Sequence, residues 1–324
     1  MRIFYLMIGG LVSFIVCVAT AWAEMPKIKA AALANGTVNW ELSTIISNKL
    51  DQKNGFELII SAVAGGPAGK IAFQGGEADV FVSDWLWVAR QRAAGKDYIF
   101  IPYSTAVGGV VVKNDSDIIT LADLKGKKIG IAGGPLDKSW LILRAYAKQE
   151  YGFDLRDESE QVFGAPPLIF KTALQGETDA AINFWHFMAK MRAKDMRTLL
   201  SVSEAATALG LDPDTPLLGY VLRGEMLKTH PDLVAGLAQA SREAKHILNT
   251  DDAAWVALRP DMRVKTEAEF QELIAGFRAG IPKSALVDEA AANKMLQIMA
   301  QLGGAELVGD LSELPQGVFF QPGS

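Results

Sequence analysis

Strand-like and helix-like segments alternate along most of the chain, and this alternation constrains the fold more than any other feature of the sequence. Short apolar runs at residues 28–33, 56–63 and 80–82 have the length of β-strands. The segment 40–50 has apolar residues at helical spacing, and a further helix ends at the glycines 75–76. Because parallel strands need a crossover connection, usually a helix, this order predicts an α/β fold: a mostly parallel sheet with helices on both faces.

A second unit with the same alternation follows the first. With 324 residues and a prior of roughly 150 residues per domain, the chain is long enough for two such domains. The remaining predicted elements are strands at 108–112, 128–132, 162–163 and 180–183, a helical turn at 121–124, helices at 139–150 and 168–175, and three helices of a C-terminal cap at 231–249, 267–277 and 286–302.

The N-terminal segment, residues 1–23, has the organisation of a secretory signal peptide. Arg2 supplies the positive start, residues 3–19 form an apolar run, and residues 21–23 read Ala-Trp-Ala, the small-residue pattern that signal peptidase requires. We therefore predict cleavage before Glu24 and a periplasmic mature protein. An uncleaved membrane anchor is the alternative, although the run is short for a membrane span.

Cysteine usage and charge exclude several classes of function. Cys17 is the one cysteine of the chain, and the large residues 14–16 before it do not match the small residues that precede a lipidated cysteine. The mature chain then has no thiol for disulfides, thiolate metal sites or cysteine nucleophiles. The net charge is −5, from 32 basic and 37 acidic residues, and no basic patch with interleaved aromatic residues is present. Binding to nucleic acid is therefore not expected.

Two segments of the chain echo each other. Residues 72–80 and 173–180 both run from the end of a helix through glycine to a strand that starts at an aspartate, Asp79 in one and Asp179 in the other. Each strand then leads to a tryptophan. This connection is common in α/β proteins, so chance is one explanation. The functional explanation is two lobes of like design that aim their strand ends at a shared cleft, where ligands of open α/β sheets bind.

Three features of the sequence resemble the periplasmic solute-binding proteins of ABC transporters, in the group that binds sulfonates, taurine, nitrate and thiamine precursors. They are Leu-Ala-Asp-Leu-Lys-Gly-Lys-Lys-Ile-Gly-Ile at 121–131, the two aspartate-led strand starts, and Thr-His-Pro-Asp-Leu-Val at 229–234. The likeness covers most of residues 27–305 through the order and spacing of these motifs. It implies a two-lobed periplasmic-binding-protein fold, type II-like, that closes on a small-molecule ligand by hinge motion and delivers it to an ABC permease and ATPase.

Carried onto this sequence, the resemblance places lobe one at residues 27–106 plus 217–310, lobe two at 107–216 and a C-terminal tail at 311–324. It implies a monomer that binds its ligand without a cofactor, a metal or catalytic residues. A sensor that reports its ligand to a membrane receptor is an alternative to a transport protein, and the sequence does not separate the two.

Lobe one offers two groups of candidate ligand-binding residues. Asn39 and Trp40 follow the first predicted strand, where a helix cap followed by a core tryptophan is the alternative. Ser83, Asp84 and Trp85 end the third strand, and an acidic side chain there is costly to bury without a partner. Capping of the next helix by Asp84 is the alternative for that residue. We expect the second group to form one wall of the ligand site.

Lobe two offers candidates at the start of a long helix. Gly134, Lys138 and Ser139 lie where a Gly-Gly-Pro sequence leads into this helix, and a helix N-terminus suits an anion. Asp137 in the same segment would repel an anion, and the Gly-Gly-Pro sequence alternatively forms only a turn.

Further candidates in lobe two, Asn183 and Trp185, lie at the end of its last predicted strand. We expect Trp185 to contact the ligand from the wall opposite Asp84 and Trp85, and the neighbouring His186 to be packed or solvated. Tryptophan supplies a large, rigid contact area, so these residues together with Trp40 favour a ligand with an apolar or flat face. Ordinary core packing is the alternative.

Catalysis and metal binding have little support in the sequence. Some members of the resembled group make a thiamine pyrimidine and carry a cysteine-rich motif, which the mature chain lacks. No Ser-His-Asp signature, phosphate-binding loop or metalloprotease motif is present. The three histidines do not cluster in the sequence, so a free-metal site is not expected, while a metal held by an organic chelator is an open alternative. The sequence therefore predicts a receptor for a small organic solute with one or two polar groups.

Overall fold

The computed structural model describes residues 24–321, so the predicted signal peptide lies outside the described residues. Within 24–321 the chain forms two five-stranded sheets, each flanked by helices. The strands are β1 (Lys27–Leu33), β2 (Glu57–Val63), β3 (Val80–Asp84), β4 (Tyr98–Ser104), β5 (Gly109–Lys113), β6 (Lys128–Ala132), β7 (Glu160–Gly164), β8 (Ala180–Asn183), β9 (Met196–Ser201) and β10 (Leu218–Arg223).

The helices of the described chain include every helical segment that the sequence predicts. One of them, predicted at 40–50, is divided in two because Lys49 adopts a left-handed backbone conformation with φ of 55°. A 3-10 turn covers Leu121–Leu124. The α-helices are α1 (Val38–Ser47), α2 (Leu50–Lys53), α3 (Gly66–Gly75), α4 (Trp85–Ala93), α5 (Lys138–Tyr151), α6 (Leu155–Glu158), α7 (Pro166–Gln175), α8 (Trp185–Arg192), α9 (Val202–Ala208), α10 (Gly224–Thr229), α11 (Pro231–Thr250), α12 (Asp252–Met262), α13 (Glu267–Ala279) and α14 (Glu289–Val308).

The two sheets share one topology. The first has the order β2-β1-β3-β10-β4 and the second the order β7-β6-β8-β5-β9. In the first, β1 is parallel to β2 and β3, while β10 is antiparallel to β3 and β4. In the second, β6 is parallel to β7 and β8, while β5 is antiparallel to β8 and β9. Each sheet is therefore mostly parallel in strand direction, and the strand that arrives from the other sheet runs against the rest.

The aspartates of the sequence echo occupy equivalent positions in the two sheets. Asp79 precedes β3, and its Oδ2 accepts a hydrogen bond from the backbone N–H of Lys29 in β1 at 2.9 Å. Asp179 precedes β8, and its Oδ2 accepts from the N–H of Lys128 in β6 at 2.8 Å. Each aspartate thus joins the starts of two adjacent parallel strands, so β3 and β8 end at corresponding places.

The C-terminal residues add to the first sheet. The N–H of Phe100 in β4 donates to the carbonyl of Val318 at 2.8 Å, and the N–H of Phe320 donates to the carbonyl of Phe100 at 2.9 Å. Phe319 between them is buried and its ring lies 5.9 Å from that of Trp85. The predicted tail therefore contributes to the core that lies beneath α4.

The chain passes from the first sheet to the second between β4 and β5, and returns between β9 and β10. We call the part around the first sheet lobe one and the part around the second lobe two. The predicted two-lobed α/β fold is confirmed, whereas lobe boundaries at 106/107 and 216/217 stay a prediction. None of the helices within residues 24–321 has the length and apolar character that a membrane crossing requires.

Candidate functional site

A cavity of about 270 Å³ lies between the two lobes. Its volume is close to the lower end of small-molecule pockets, roughly 300 Å³. Both lobes and both inter-lobe crossovers contribute to its walls. The lining residues are Thr37, Asp84 and Leu218 from lobe one, Asp137, Lys138, Ser139, Phe184, Trp185 and His186 from lobe two, and Ala106, Val107, Gly108 and Leu217 from the crossovers.

The polar wall residues follow the carboxyl ends of parallel strands. Thr37 follows β1, Asp84 ends β3, and the segment from Asp137 to Ser139 follows β6. Trp185 follows β8. Parallel strands place their carboxyl ends at one edge of a sheet, so these residues meet where open α/β proteins bind their ligands.

Asp84 connects the two lobes across the cavity. Its Oδ1 accepts a hydrogen bond from the N–H of Trp87 at 2.9 Å, which caps the N-terminus of α4. Its Oδ2 lies 3.1 Å from Nζ of Lys138 at the start of α5. Both interpretations of this residue from the sequence are therefore compatible: Asp84 caps a helix and also lines the cavity.

Asp137 caps α5 with its own carboxylate. Oδ1 accepts hydrogen bonds from the N–H groups of Ser139 at 3.0 Å and Trp140 at 3.2 Å. Burial raises the pKa of Asp137, and the two backbone hydrogen bonds and the nearby Lys138 ammonium oppose that rise. The sequence indicated that the N-terminus of α5 could bind an anion. In the structure the carboxylate of Asp137 already occupies this terminus.

Trp185 belongs to lobe two but packs against lobe one. Its ring lies 6.1 Å from the ring of Trp40 in an edge-on arrangement. A Cβ atom on Gly276 of α13 would lie 2.7 Å from Cε3 of Trp185, so the indole occupies a notch that requires glycine. The ion pair of Arg192 in α8 with Glu272 in α13, at 2.7 Å, continues this contact between the lobes.

His186 is largely buried at the cavity wall. Its ring lies 4.7 Å from Phe187 and 5.6 Å from Trp185. Burial, with a smaller contribution from the Lys190 charge, lowers the pKa of His186 to about 4, so the imidazole is neutral at pH 7. Its Nδ1 is buried and has no hydrogen-bond partner among the described residues.

Several predicted site residues lie outside the cavity wall. Trp85 is the main correction: it is 0% exposed and packs in the core of lobe one, because α4 begins at this residue and turns its side chain under the sheet toward Phe319. Trp40 is also buried in the core, next to Trp255. Neither tryptophan lines the cavity, so Trp185 alone of the three predicted tryptophans does.

The remaining predicted residues support the wall from behind. Ser83 is buried within β3, and Gly134 lies in the turn before α5. Asn39 donates from Nδ2 to the carbonyl of Leu33 at 2.7 Å. Asn183 donates from Nδ2 to the carbonyl of Pro166 at 3.0 Å and accepts from the N–H of Phe184 through Oδ1 at 2.8 Å. The side chains of these two asparagines thus hold the backbone at the end of β1 and at the start of α7.

Sequence reasoning missed Thr37, Phe184 and the crossover residues as wall elements, and treated His186 as a bystander. Thr37 was detectable as the residue before a helix that follows a strand. The crossovers carry no motif, and their place in the wall depends on the path of the chain between the sheets. Within residues 24–321 no group of three or more histidine, aspartate or glutamate side chains is placed to hold a metal ion.

Comparisons with solved structures show the same fold. The periplasmic aliphatic sulphonate binding protein of Escherichia coli aligns with a TM-score of 0.72 and 18% identity over 91% of this chain and 92% of that chain. The alkanesulfonate-binding protein of Xanthomonas axonopodis pv. citri, bound to MOPS, aligns with a TM-score of 0.68 and 18% identity over 92% and 99%. A desulfurization enzyme aligns with a TM-score of 0.58 and 15% identity over 90% and 97%.

Sequence comparison supplies the family. No curated protein matches the sequence. The family model described as NMT1/THI5 like matches residues 52–253, which is more than half of the chain and reaches from lobe one through all of the second sheet. The protein therefore belongs to the NMT1/THI5-like family.

Proposed function

We propose that this protein is the periplasmic solute-binding component of an ABC importer, which holds one small organic molecule between its lobes and delivers it to a membrane permease and ATPase. The observation that carries this proposal is the cavity whose walls come from both lobes and from both crossovers. A ligand in such a cavity contacts both lobes at once, so its binding favours the closed arrangement. The sulfonate-binding proteins named above support the proposal through their shared fold.

The contacts between the lobes suit a hinge that closes on its ligand. The pair of Asp84 and Lys138 and the insertion of Trp185 beside Gly276 both join one lobe to the other. Both contacts break when the lobes separate. The protein can therefore open and close by rotation at the two crossovers without unfolding either lobe.

The cavity lacks an arrangement for nucleophilic catalysis. The Ser139 hydroxyl lies beside the capping carboxylate of Asp137, and Nδ1 of His186 has no hydroxyl or carboxylate partner among the described residues. No hydroxyl–imidazole–carboxylate relay is therefore formed. We propose a binding protein and no enzyme on the basis of this site, because a fold shared with a desulfurization enzyme hosts more than one function.

Mass spectrometry and calorimetry test the proposal together. Protein purified from the periplasm is examined by native mass spectrometry for a co-purifying compound, which is released, identified and titrated back. We expect one non-covalent molecule per monomer and the same affinity with and without EDTA. A large loss of affinity on chelation would favour a metal–chelate ligand, and conversion of the bound compound would show an enzyme.

Export is a separate part of the proposal. We expect intact mass analysis of the periplasmic protein to give a chain that begins at Glu24, because the Ala-Trp-Ala sequence at 21–23 precedes that residue. A mass that retains Met1, or a lipid adduct on Cys17, would contradict cleavage at this site.

A further inference from the structure

We infer that Asp137 and His186 determine the class of ligand, and that the cavity takes an uncharged or cationic organic molecule with a hydrogen-bonding group in preference to a sulfonate or another strong anion. This inference rests on the proposed solute-binding function. The sulfonate-binding proteins of the same fold are named for an anionic ligand, so the inferred specificity differs from theirs.

The N-terminus of α5 is already occupied by the carboxylate of Asp137. Free N–H groups and a partial positive charge make a helix N-terminus attractive to anions. Here Oδ1 of Asp137 already accepts from the N–H groups of Ser139 and Trp140, at 3.0 and 3.2 Å. An anionic ligand would have to displace this carboxylate or lie next to it, and both cost free energy.

The charged side chains of the cavity wall also disfavour an anionic ligand. The N-terminus of α4 is likewise capped by its own carboxylate, that of Asp84. Lys138 is the cation of the cavity lining, and its Nζ pairs with Asp84 at 3.1 Å. Lys70 of α3 also acts on Asp84, but its ammonium lies 5.2 Å from the Trp87 ring and outside the lining. The lining side chains thus offer two carboxylates and one ammonium, which disfavours a further negative charge.

The imidazole of His186 has one ring nitrogen without a hydrogen-bond partner among the described residues. Nδ1 of His186 is buried at the cavity wall and has no partner among the described residues. A buried polar atom without a hydrogen bond is unfavourable, and a ligand group that pairs with it removes that penalty. The charge that acts on this ring comes from Lys190 on the same helix, and it disfavours the imidazolium form. A neutral imidazole pairs well with an amide, hydroxyl or ring nitrogen.

The start of α8 forms another part of the cavity wall. Phe184 precedes this helix, and no side chain within residues 24–321 caps its N-terminus. In its first turn the N–H of Phe187 donates to the carbonyl of Phe184 at 2.9 Å, so this donor is not free for a ligand. Phe184 and Trp185 line the cavity, and their apolar surfaces favour a flat ligand.

Calorimetry with sulfonates tests the exclusion of anions. Taurine, MOPS, benzenesulfonate and sulfate are titrated into the mature protein at pH 7. We expect no saturable binding at millimolar concentration in the wild type, and saturable binding of sulfate at millimolar concentration in Asp137→Ala, which frees the α5 N-terminus. Asp288→Ala is the matched control, because Asp288 caps α14 through two N–H groups in the same way, at 2.9 and 3.1 Å. Micromolar binding of any sulfonate by the wild type, or no gain in Asp137→Ala, would overturn the role of Asp137.

The co-purified compound tests the role of His186. We expect it to be uncharged or cationic at pH 7, and to bind His186→Phe at least tenfold more weakly, while thermal melting confirms that the variant is folded. Unchanged affinity would overturn the assignment to His186. A tightly bound sulfonate would overturn the inference but leave the solute-binding function intact. Absence of any saturable small-molecule ligand would instead contradict the proposed function itself.

Discussion

Nζ of Lys138 and Oδ2 of Asp84 lie 3.1 Å apart across the cavity, and the two residues belong to different lobes. The pair therefore exists only while the lobes are closed. Asp84 also caps α4 through its other oxygen, so its position is fixed even when Lys138 moves away. The ion pair joins the end of β3 in lobe one to the start of α5 in lobe two.

Replacing Lys138 with methionine keeps the length of the side chain and removes the ion pair. Both side chains are partly exposed, so we expect a loss of about 1 kcal/mol or less in closure and less than about a tenfold loss of affinity for the co-purified compound. Titration calorimetry measures this loss. Lys128→Met is the control, because Lys128 pairs with Glu160 within lobe two. A loss above a hundredfold would show that Lys138 binds the ligand directly.

Gly276→Ala tests the notch that receives Trp185. The new Cβ would lie 2.7 Å from Cε3 of the indole, so the closed state must shift to accommodate it. Overpacking of this kind costs about 1–3 kcal/mol, which corresponds to a loss of affinity of about 5- to 150-fold. The cost falls on lobe closure, and we expect the melting temperature of the ligand-free protein to change little.

Gly75→Ala is the matched control for that variant, since Gly75 also lies in a helix and has no atom within 4 Å of its added Cβ. We expect the control to bind like the wild type. Equal affinities for Gly276→Ala and Gly75→Ala would mean that the insertion of Trp185 beside α13 is not required for binding.

The buried imidazole of His186 makes stability depend on pH. Its pKa is about 4 in the folded chain against an ordinary value of 6.5, so the unfolded chain takes up the proton first as the pH falls. The stability is fully present above pH 6.5 and is lost between pH 6.5 and about 4. The free energy of unfolding should fall by about 2 kcal/mol from pH 7 to pH 5 through this residue.

Urea unfolding of the ligand-free protein at pH 7, 6 and 5 measures this contribution. We expect the free energy of unfolding of His186→Phe to fall by about 2 kcal/mol less than that of the wild type between pH 7 and pH 5. His246 lies on the exposed face of α11, and we expect His246→Gln to behave like the wild type. Identical pH profiles for His186→Phe and the wild type would contradict a neutral, buried imidazole.

A buried polar network holds α1, and with it Thr37 at the cavity wall. Nζ of Lys245 lies 2.6 Å from Oε2 of Glu41, and Oε1 of Glu41 accepts from Tyr220 at 2.8 Å and from Ser241 at 2.7 Å. Burial lowers the pKa of Lys245, while the Glu41 carboxylate opposes that shift. Both charged groups of the ion pair therefore lie in the interior of lobe one.

Removing one partner of this pair leaves an uncompensated buried charge. We expect Lys245→Met to lower the free energy of unfolding by about 3–5 kcal/mol, measured by urea unfolding. Lys53→Met breaks the exposed pair with Glu243 on the same helix α11 and should cost less than about 1 kcal/mol. Comparable losses in the two variants would show that the buried network contributes no special stability.

The alternation of strands and helices predicted the α/β class, because the period of apolar residues along an element reflects which of its faces is buried. The two lobes were predicted from the length of the chain and from the resemblance to solute-binding proteins. Strands β4, β9 and β10 were missed. β4 and β9 are edge strands of the two sheets, and β10 belongs to lobe one only because the chain comes back from lobe two. Local periodicity contains no information about such a path.

The candidate site was predicted in part. Asp84, Lys138, Ser139 and Trp185 line the cavity, since strand ends and helix starts are visible in the sequence. Trp85 does not, because the direction of a side chain at the first residue of a helix depends on how that helix packs on the sheet. The same limit applies to His186, whose burial results from contacts that the sequence does not reveal.

Small-angle X-ray scattering of the mature protein, with and without the co-purified compound, tests the central claim most directly. The claim is that one small molecule binds between the lobes as they close. We expect the radius of gyration to fall on saturation in the wild type, and to fall less in Gly276→Ala at a ligand concentration that just saturates the wild type. One-to-one binding with an unchanged radius of gyration in the wild type would contradict closure of the lobes on the ligand.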